Sequence, residues 1–366
     1  MRLSGILLRY IGRQYFFSFA AIFCVFMGLI LMIDMVELLR RAASRPEIGF
    51  ATIVKMSFLK LPHMGEKTFP FAILFGGMIA FWRLTRNHEF VVTRAAGVSV
   101  WQFLLPALTI AFVLGVVKIS IWNPLASAAL SRYEALEAVT LKGRQSLLAL
   151  SETGLWLRQA DKDGQSVVHS KYMVQEGQDV QLGNVIVFMY EGTDRFSGRI
   201  DAEFASLEDG FWHLTNAWRT APETAPVFEK EYWLETDLTL SKIQDSFAPP
   251  ETMSFWALPA FIKTLENAGF SAVRHRLHWH ALLAAPLLAC AMVLIAATFT
   301  LRHARRGGAT VVFTIGVLAG FVLYFFSDLV FALGLSDSIP VTPAAWTPSG
   351  VMSLLGLATL LHLEDG

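Results

Sequence analysis

With 366 residues, 54% of them hydrophobic and 16% charged, the chain is too apolar to cover its surface as a soluble protein. Lys and Arg number 30, as do Asp and Glu, so the net charge of zero offers no general attraction for nucleic acid. The 2 cysteines, Cys24 and Cys290, exclude a disulfide framework or a cysteine-rich zinc site and read as small buried hydrophobes inside apolar runs.

The first apolar run follows Arg9 and Arg13. It is longer than a signal-peptide core and no small-x-small site follows it, so it reads as a retained anchor spanning residues 15–39. Asp34 and Glu37 lie near its far end, and Arg40, Arg41 and Arg45 follow directly. These arginines admit two readings: helix-end snorkelling that compensates the helix dipole, or guanidinium forks for an anionic headgroup. A second span covers 69–84, its helix beginning near 51 and bent at Pro62 and Pro70. The segment 83–97, with Arg86, Glu89, Phe90 and Arg94 and a stop at Gly97, reads as a short amphipathic helix. It suits a plain interfacial loop and a lever for a soluble motor equally. A third span covers 100–122.

From 153 to 240 the pattern changes to short alternating runs, at 154–158, 166–170, 184–190, 199–204, 207–214 and 232–240. Turn residues at 161–164 and 191–192 separate some of them, which predicts an antiparallel sandwich or roll with an open edge. Pro249 and Pro250 lead into a short helix over 254–267, with Phe255, Leu258, Phe261, Ile262 and Leu265 on one face and Gly269 as its stop. Three further spans cover 280–301, 311–333 and 345–361.

Three basic clusters fall on one side of such a six-span chain: Arg2, Arg9 and Arg13; Arg83, Arg86 and Arg94; Arg302, Arg305 and Arg306. The positive-inside rule makes that side cytoplasmic, with both termini, and puts residues 123–275 outside. The expected fold class is an α+β membrane protein, three helices and three helices flanking an inserted periplasmic antiparallel β domain. Its parts are 1–122, the β domain with linkers at 123–248, an interfacial helix and linker at 249–275, and 276–366. No phosphate-binding glycine loop, Gly-x-Ser-x-Gly elbow or His-Glu-x-x-His occurs, so no catalytic constellation and no cofactor are implied. His275, His278 and His280 read as headgroup contact or interface packing rather than metal ligands, and Asp328 as a salt-bridge partner for Lys118, with a proton relay as the alternative.

The opening Leu8-Arg9-Tyr10-Ile11-Gly12-Arg13, Val36 to Arg41, Glu89-Phe90-Val91-Val92 with Ala95 to Ser99, and Gly320 to Tyr324 with Asp328 together resemble one family. It is the LptF/LptG permease family of lipopolysaccharide export, and within it the LptG type. The resemblance implies a jellyroll-like β domain and a non-catalytic permease subunit of an ABC transporter in the bacterial inner membrane. It also implies a cytoplasmic ATPase dimer, a second permease of the LptF type, periplasmic LptC/LptA-type bridge proteins and lipopolysaccharide as partners. Carried onto this sequence, Glu37, Arg40, Arg41 and Arg132 become lipid contacts. Where the family carries a lipid-contacting lysine after the proline, this chain has His63 after Pro62 and Lys67 one turn further, so either of the two becomes the lipid contact of that helix. Arg86, Glu89, Phe90, Arg94 and Gly97 become the segment that meets the ATPase. The rival reading is a mechanotransmitting or sensory membrane protein whose β domain relays a signal without moving lipid.

Overall fold

In lipid every backbone polar group must find its partner within the chain, so long apolar runs become helices. The computed structural model describes residues 5–43, 49–138, 140, 148–151, 154–160, 164–176, 179–191, 195–208, 210–222, 224–236, 248–267, 271–303 and 309–365. Among them are six helical rods long and apolar enough to cross a membrane. In chain order the helices are α1 (Gly5–Ala42), α2 (Phe50–Arg86), α3 (Glu89–Ala95), α4 (Val100–Val117), α5 (Asn123–Glu137), α6 (Leu258–Asn267), α7 (Val273–His303), α8 (Ala309–Leu335) and α9 (Val341–Asp365). The turns expected at 161–163 and at Gly192, together with Arg2, Arg45, Gly269, Arg305 and Arg306, lie outside the described residues.

The third rod differs from the expectation. It does not stop at Trp122 but passes through a π-helical turn, Lys118–Trp122, straight into α5. Apolarity ends there; helical hydrogen bonding does not. α4 opens with a capping box, Ser99 Oγ accepting from the Gln102 amide while Gln102 Oε1 accepts from the Ser99 amide, both at 3.3 Å.

Contacts divide the chain into two units, one of residues 1–142, 251–258 and 273–366, the other of 143–250 and 259–272. The first is the membrane unit. Its core joins Tyr15 and Phe19 of α1, Phe81 of α2 and Phe103 of α4 to a run of small residues on α7, including Ala289, Ala291 and Ala296. Lipid tails are as apolar as the helices, so close packing rather than hydrophobic exclusion holds them together. A Cβ on Gly76 would come within 2.6 Å of the Phe19 Cα, and one on Gly115 within 2.5 Å of the Pro286 Cα, so both contacts require glycine. α1 buries only 6% of its apolar window, leaving the rest half-buried or exposed. Cys24 is therefore exposed and Cys290 half-buried, contrary to the expectation that both are buried.

The second unit is a single antiparallel sheet of seven strands: β1 (Leu148–Ser151), β2 (Gly154–Ala160), β3 (Gly164–Glu176), β4 (Asp179–Glu191), β5 (Arg195–Glu208), β6 (Phe211–Thr220) and β7 (Val227–Glu235). Each strand pairs with its neighbour in sequence, so the roll is a meander. Rows of inward residues cross it in register, such as Leu157, Val168, Val187 and Ile200. The sheet is curled. Gln159 of β2 donates to the Glu235 carbonyl at the end of β7 (3.1 Å) and accepts from Thr236 Oγ1 (2.6 Å). In a flat sheet five strand spacings would hold those residues about 24 Å apart. The α+β class is as expected. α6 begins at Leu258 rather than 254 and buries Leu258, Ile262 and Leu265 while Lys263 and Glu266 face out.

A transverse crease accompanies the curl. Inward side chains recur every second residue in a regular strand. Here the step is three at one place on three strands: Leu182 to Val185, Ala202 to Ala205 and Leu214 to Ala217. The skipped exposed positions align across the sheet. Lys171, Asn184, Glu203, Asn216 and Lys230 stand opposite one another on β3 to β7. Asn184 (φ 50) and Asn216 (φ 54) adopt left-handed backbone, and Asn216 Nδ2 donates to Glu203 at 2.8 Å. Because successive strands take the extra residue together, their register is kept.

Candidate functional site

α1, α2 and α5 meet over a small core of Leu38, Ala42, Ile53, Met56, Leu130 and Tyr133. On it stands a charged cluster at the end of α1 remote from the N-terminus. One carboxylate, Glu37, holds both arginines: Arg40 Nη2 at 2.7 Å and Arg41 Nε at 2.8 Å. Helical spacing of three and four residues makes this possible. Arg41 also reaches Glu137 of α5 at 3.5 Å. Lys60 of α2 donates to Asp34 at 2.5 Å and lies 5.5 Å from the Tyr133 ring centre. The Tyr133 hydroxyl donates to Glu137 at 3.2 Å. The Arg40 side chain remains 77% exposed and that of Arg41 50%. Water screens solvent-exposed pairs of this kind, so Glu37 orients the guanidiniums without locking them against a stronger anion.

The two α2 alternatives part company. His63 is buried, with Lys67, Glu251, Lys60 and Lys118 as its charged neighbours, whereas Lys67 is exposed. Arg132 is exposed on α5. Beside His63 lies a polar knot inside the unit. Glu66 is buried next to Lys118 and Asn123, and Asn123 Oδ1 accepts from the Phe255 amide at 2.7 Å. Both ends of the π-helical turn bear on α2: Lys118 faces Glu66, and Trp122 Nε1 donates to the Pro62 carbonyl at 3.0 Å. Lys118 therefore faces Glu66 and not Asp328, as the sequence reading had it. Asp328 is exposed and makes no ion pair among the described residues. Nor do the described residues gather three His, Cys, Asp or Glu side chains able to hold a metal.

At the opposite end α3 is a seven-residue helix set between His88 (φ 60) and Gly97 (φ 82). Phe90 is buried, 7% exposed, edge-on to Phe103 with ring centres 5.1 Å apart. Glu89 accepts from the Tyr10 hydroxyl at 3.2 Å and from Asn87 at 3.4 Å, tying α3 to α1. Arg86 stacks over Trp82 at 5.1 Å. What α3 presents outward is Val91, Val92 at 66% exposure, Arg94, Ala95 and Ala96.

The structure thus gathers Glu37, Arg40 and Arg41 at one end of the unit and Arg86, Glu89, Phe90, Arg94 and Gly97 at the other. On α2 it buries His63 and leaves its neighbour Lys67 exposed. Sequence reasoning missed Lys60, Tyr133 and Glu137, although Lys60 stands seven residues before Lys67 on one helical face. It also missed the exposure of Val91 and Val92.

Six spanning helices with a β roll inserted between the third and fourth define a multi-pass membrane protein. The family described as lipopolysaccharide export system permease LptF/LptG matches residues 9–362, and the chain belongs to it. It is 26% identical over 371 aligned residues to the lipopolysaccharide export system permease protein LptG of Escherichia coli strain K12, covering 99% of both chains. The same figures hold for the LptG protein of Escherichia coli O6:H1.

Proposed function

We propose that the chain is a non-catalytic permease subunit of an ABC transporter that extracts lipopolysaccharide from the inner membrane and passes it toward the outer membrane. Its β roll stands in the periplasm and both termini in the cytoplasm, as the distribution of arginines supports. Its partners are a second permease of the LptF type, an ATPase dimer that meets α3, and LptC/LptA-type bridge proteins on the periplasmic side. The outward-facing apolar surface of α1 supports a lateral contact with lipid or a partner helix.

One observation carries the reading: the two exposed guanidiniums of Arg40 and Arg41, held side by side on Glu37 at the outer end of α1. A lipid phosphate replaces the shared carboxylate there. A charge-assisted contact to phosphate outweighs the exposed carboxylate pair it displaces once the bound lipid excludes water from the two guanidiniums. Lys67 and Arg132 extend the basic surface, and Lys67 rather than His63 makes the α2 contact because it alone of the two is exposed. The double change Arg40→Glu, Arg41→Glu is expected to reduce lipopolysaccharide crosslinking to α1 and its release from reconstituted vesicles, while basal ATP hydrolysis by the assembled transporter persists. Wild-type crosslinking in that variant would reduce these arginines to helix-end anchors.

A further inference from the structure

α1 carries a second pair of arginines at its other end. Arg9 and Arg13 are one helical turn apart, both exposed, and neither makes an ion pair with any described residue. This sets them apart from Arg40 and Arg41, which share Glu37. From Arg13 to Arg40 is 27 residues of helix. At 1.5 Å each that is about 40 Å, the full depth of a bilayer with its headgroups. Whichever way the chain is oriented, the two pairs stand in opposite leaflets.

Arginines at a helix end ordinarily snorkel into water and need no further explanation. What distinguishes this pair is the cavity beneath it. Between α1 and α4 runs an open groove of about 750 Å³, with Arg9 and Arg13 in its lining. Its walls are apolar: Leu8 and Phe16 on α1, Leu105 and Ile110 on α4. The groove exists because α1 places glycine, at positions 5 and 12, on the same face as the arginines, and α4 places Pro106 opposite. Volumes of 300–1,000 Å³ are those of ligand sites, and a basic pocket between spanning helices with an apolar floor is the chemistry that holds an anionic phospholipid.

We infer that the groove between α1 and α4 binds an anionic glycerophospholipid of the leaflet that contains the N-terminus. The phosphate lies across the Arg9 and Arg13 guanidiniums, and an acyl chain runs down between Phe16 and Ile110. A neutral zwitterionic lipid fills the same walls but presents a cationic group to the two arginines. The site is independent of the lipid handled at the other end of α1, so its failure leaves the export reading untouched.

The test uses the full-length chain, delipidated in a neutral detergent and titrated with phosphatidylglycerol or with phosphatidylcholine of matched acyl chains, bound lipid being counted by native mass spectrometry. Wild type is expected to retain phosphatidylglycerol about thirtyfold more tightly than phosphatidylcholine, as two basic groups at a lipid surface give. Arg9→Gln with Arg13→Gln is expected to abolish that preference. Gly5→Leu with Thr109→Phe keeps both arginines and fills the groove; a Cβ at Gly5 meets nothing within 4 Å, so the chain folds around it. This variant too is expected to lose phosphatidylglycerol. Equal retention of the two lipids by wild type overturns the site. So does undiminished binding in the filled variant, which would leave only a basic surface. Displacement of phosphatidylglycerol from wild type by millimolar inorganic phosphate would reduce it to a simple anion site.

Discussion

Phe90 and Val92, two residues apart on α3, have opposite environments. Phe90 lies against Phe103 in the core of the membrane unit, while Val92 is 66% exposed. Phe90 therefore serves the proposed motor contact indirectly, by anchoring α3. Removing a buried phenyl ring costs about 3–5 kcal/mol. Phe90→Ala is accordingly expected to accelerate hydrogen exchange at the amides of residues 89–95, and unchanged exchange would show that the ring is not the anchor. Val92→Glu should leave exchange as in wild type while reducing co-purification of the ATPase, because a carboxylate then stands in an apolar contact. Retention of the ATPase by that variant would place the contact elsewhere.

The strands of the β roll carry a feature that belongs to no single one of them. Alternation breaks at Asn184, Glu203 and Asn216, and these positions line up only once the strands are paired. Read strand by strand, the break looks like a strand end, and the runs expected from 184 and up to 204 stop short inside β4 and β5. The left-handed backbone at Asn216 suits Asn or Gly and penalises a β-branched residue by about 1–2 kcal/mol. Asn216→Val is expected to loosen β5 and β6, seen as faster exchange of their amides in the full-length protein. Asn216→Gly is expected to hold wild-type protection except at the lost bond to Glu203. Equal behaviour of the two variants would mean that backbone conformation does not set the crease.

For the molecule as a whole, orientation decides which end of α1 meets which lipid. With the basic loops cytoplasmic, a cysteine placed at Gly164, the first residue of β3, is expected to react with an impermeant thiol reagent in intact spheroplasts. One placed at Asn87, in the turn before α3, is expected to react only after lysis. Since Cys24 is exposed, both are to be built on a Cys24→Ser background. Reversed labelling would turn the Arg40 and Arg41 cluster to the cytoplasmic leaflet and remove its role in lipopolysaccharide capture.

By itself the sequence determined the six spans and the inserted sheet, and it marked α3, though the helix expected over 83–97 is only Glu89–Ala95 because residues 83–86 close α2. Each follows from a local property: apolar length, alternation, or a capped short helix. It also marked Arg40 and Arg41, because charge against the positive-inside trend is visible without coordinates. Only the tertiary structure decided which groups face one another. Glu37 and Glu137 share Arg41, Lys118 meets Glu66 rather than Asp328, and His63 is buried while Lys67 is exposed. These outcomes depend on how α2 is rotated against α5 and on one extra residue in the turn from Lys118 to Trp122. Rotation and helix pitch are set by packing between helices distant in sequence, and hydropathy along the chain carries no record of either.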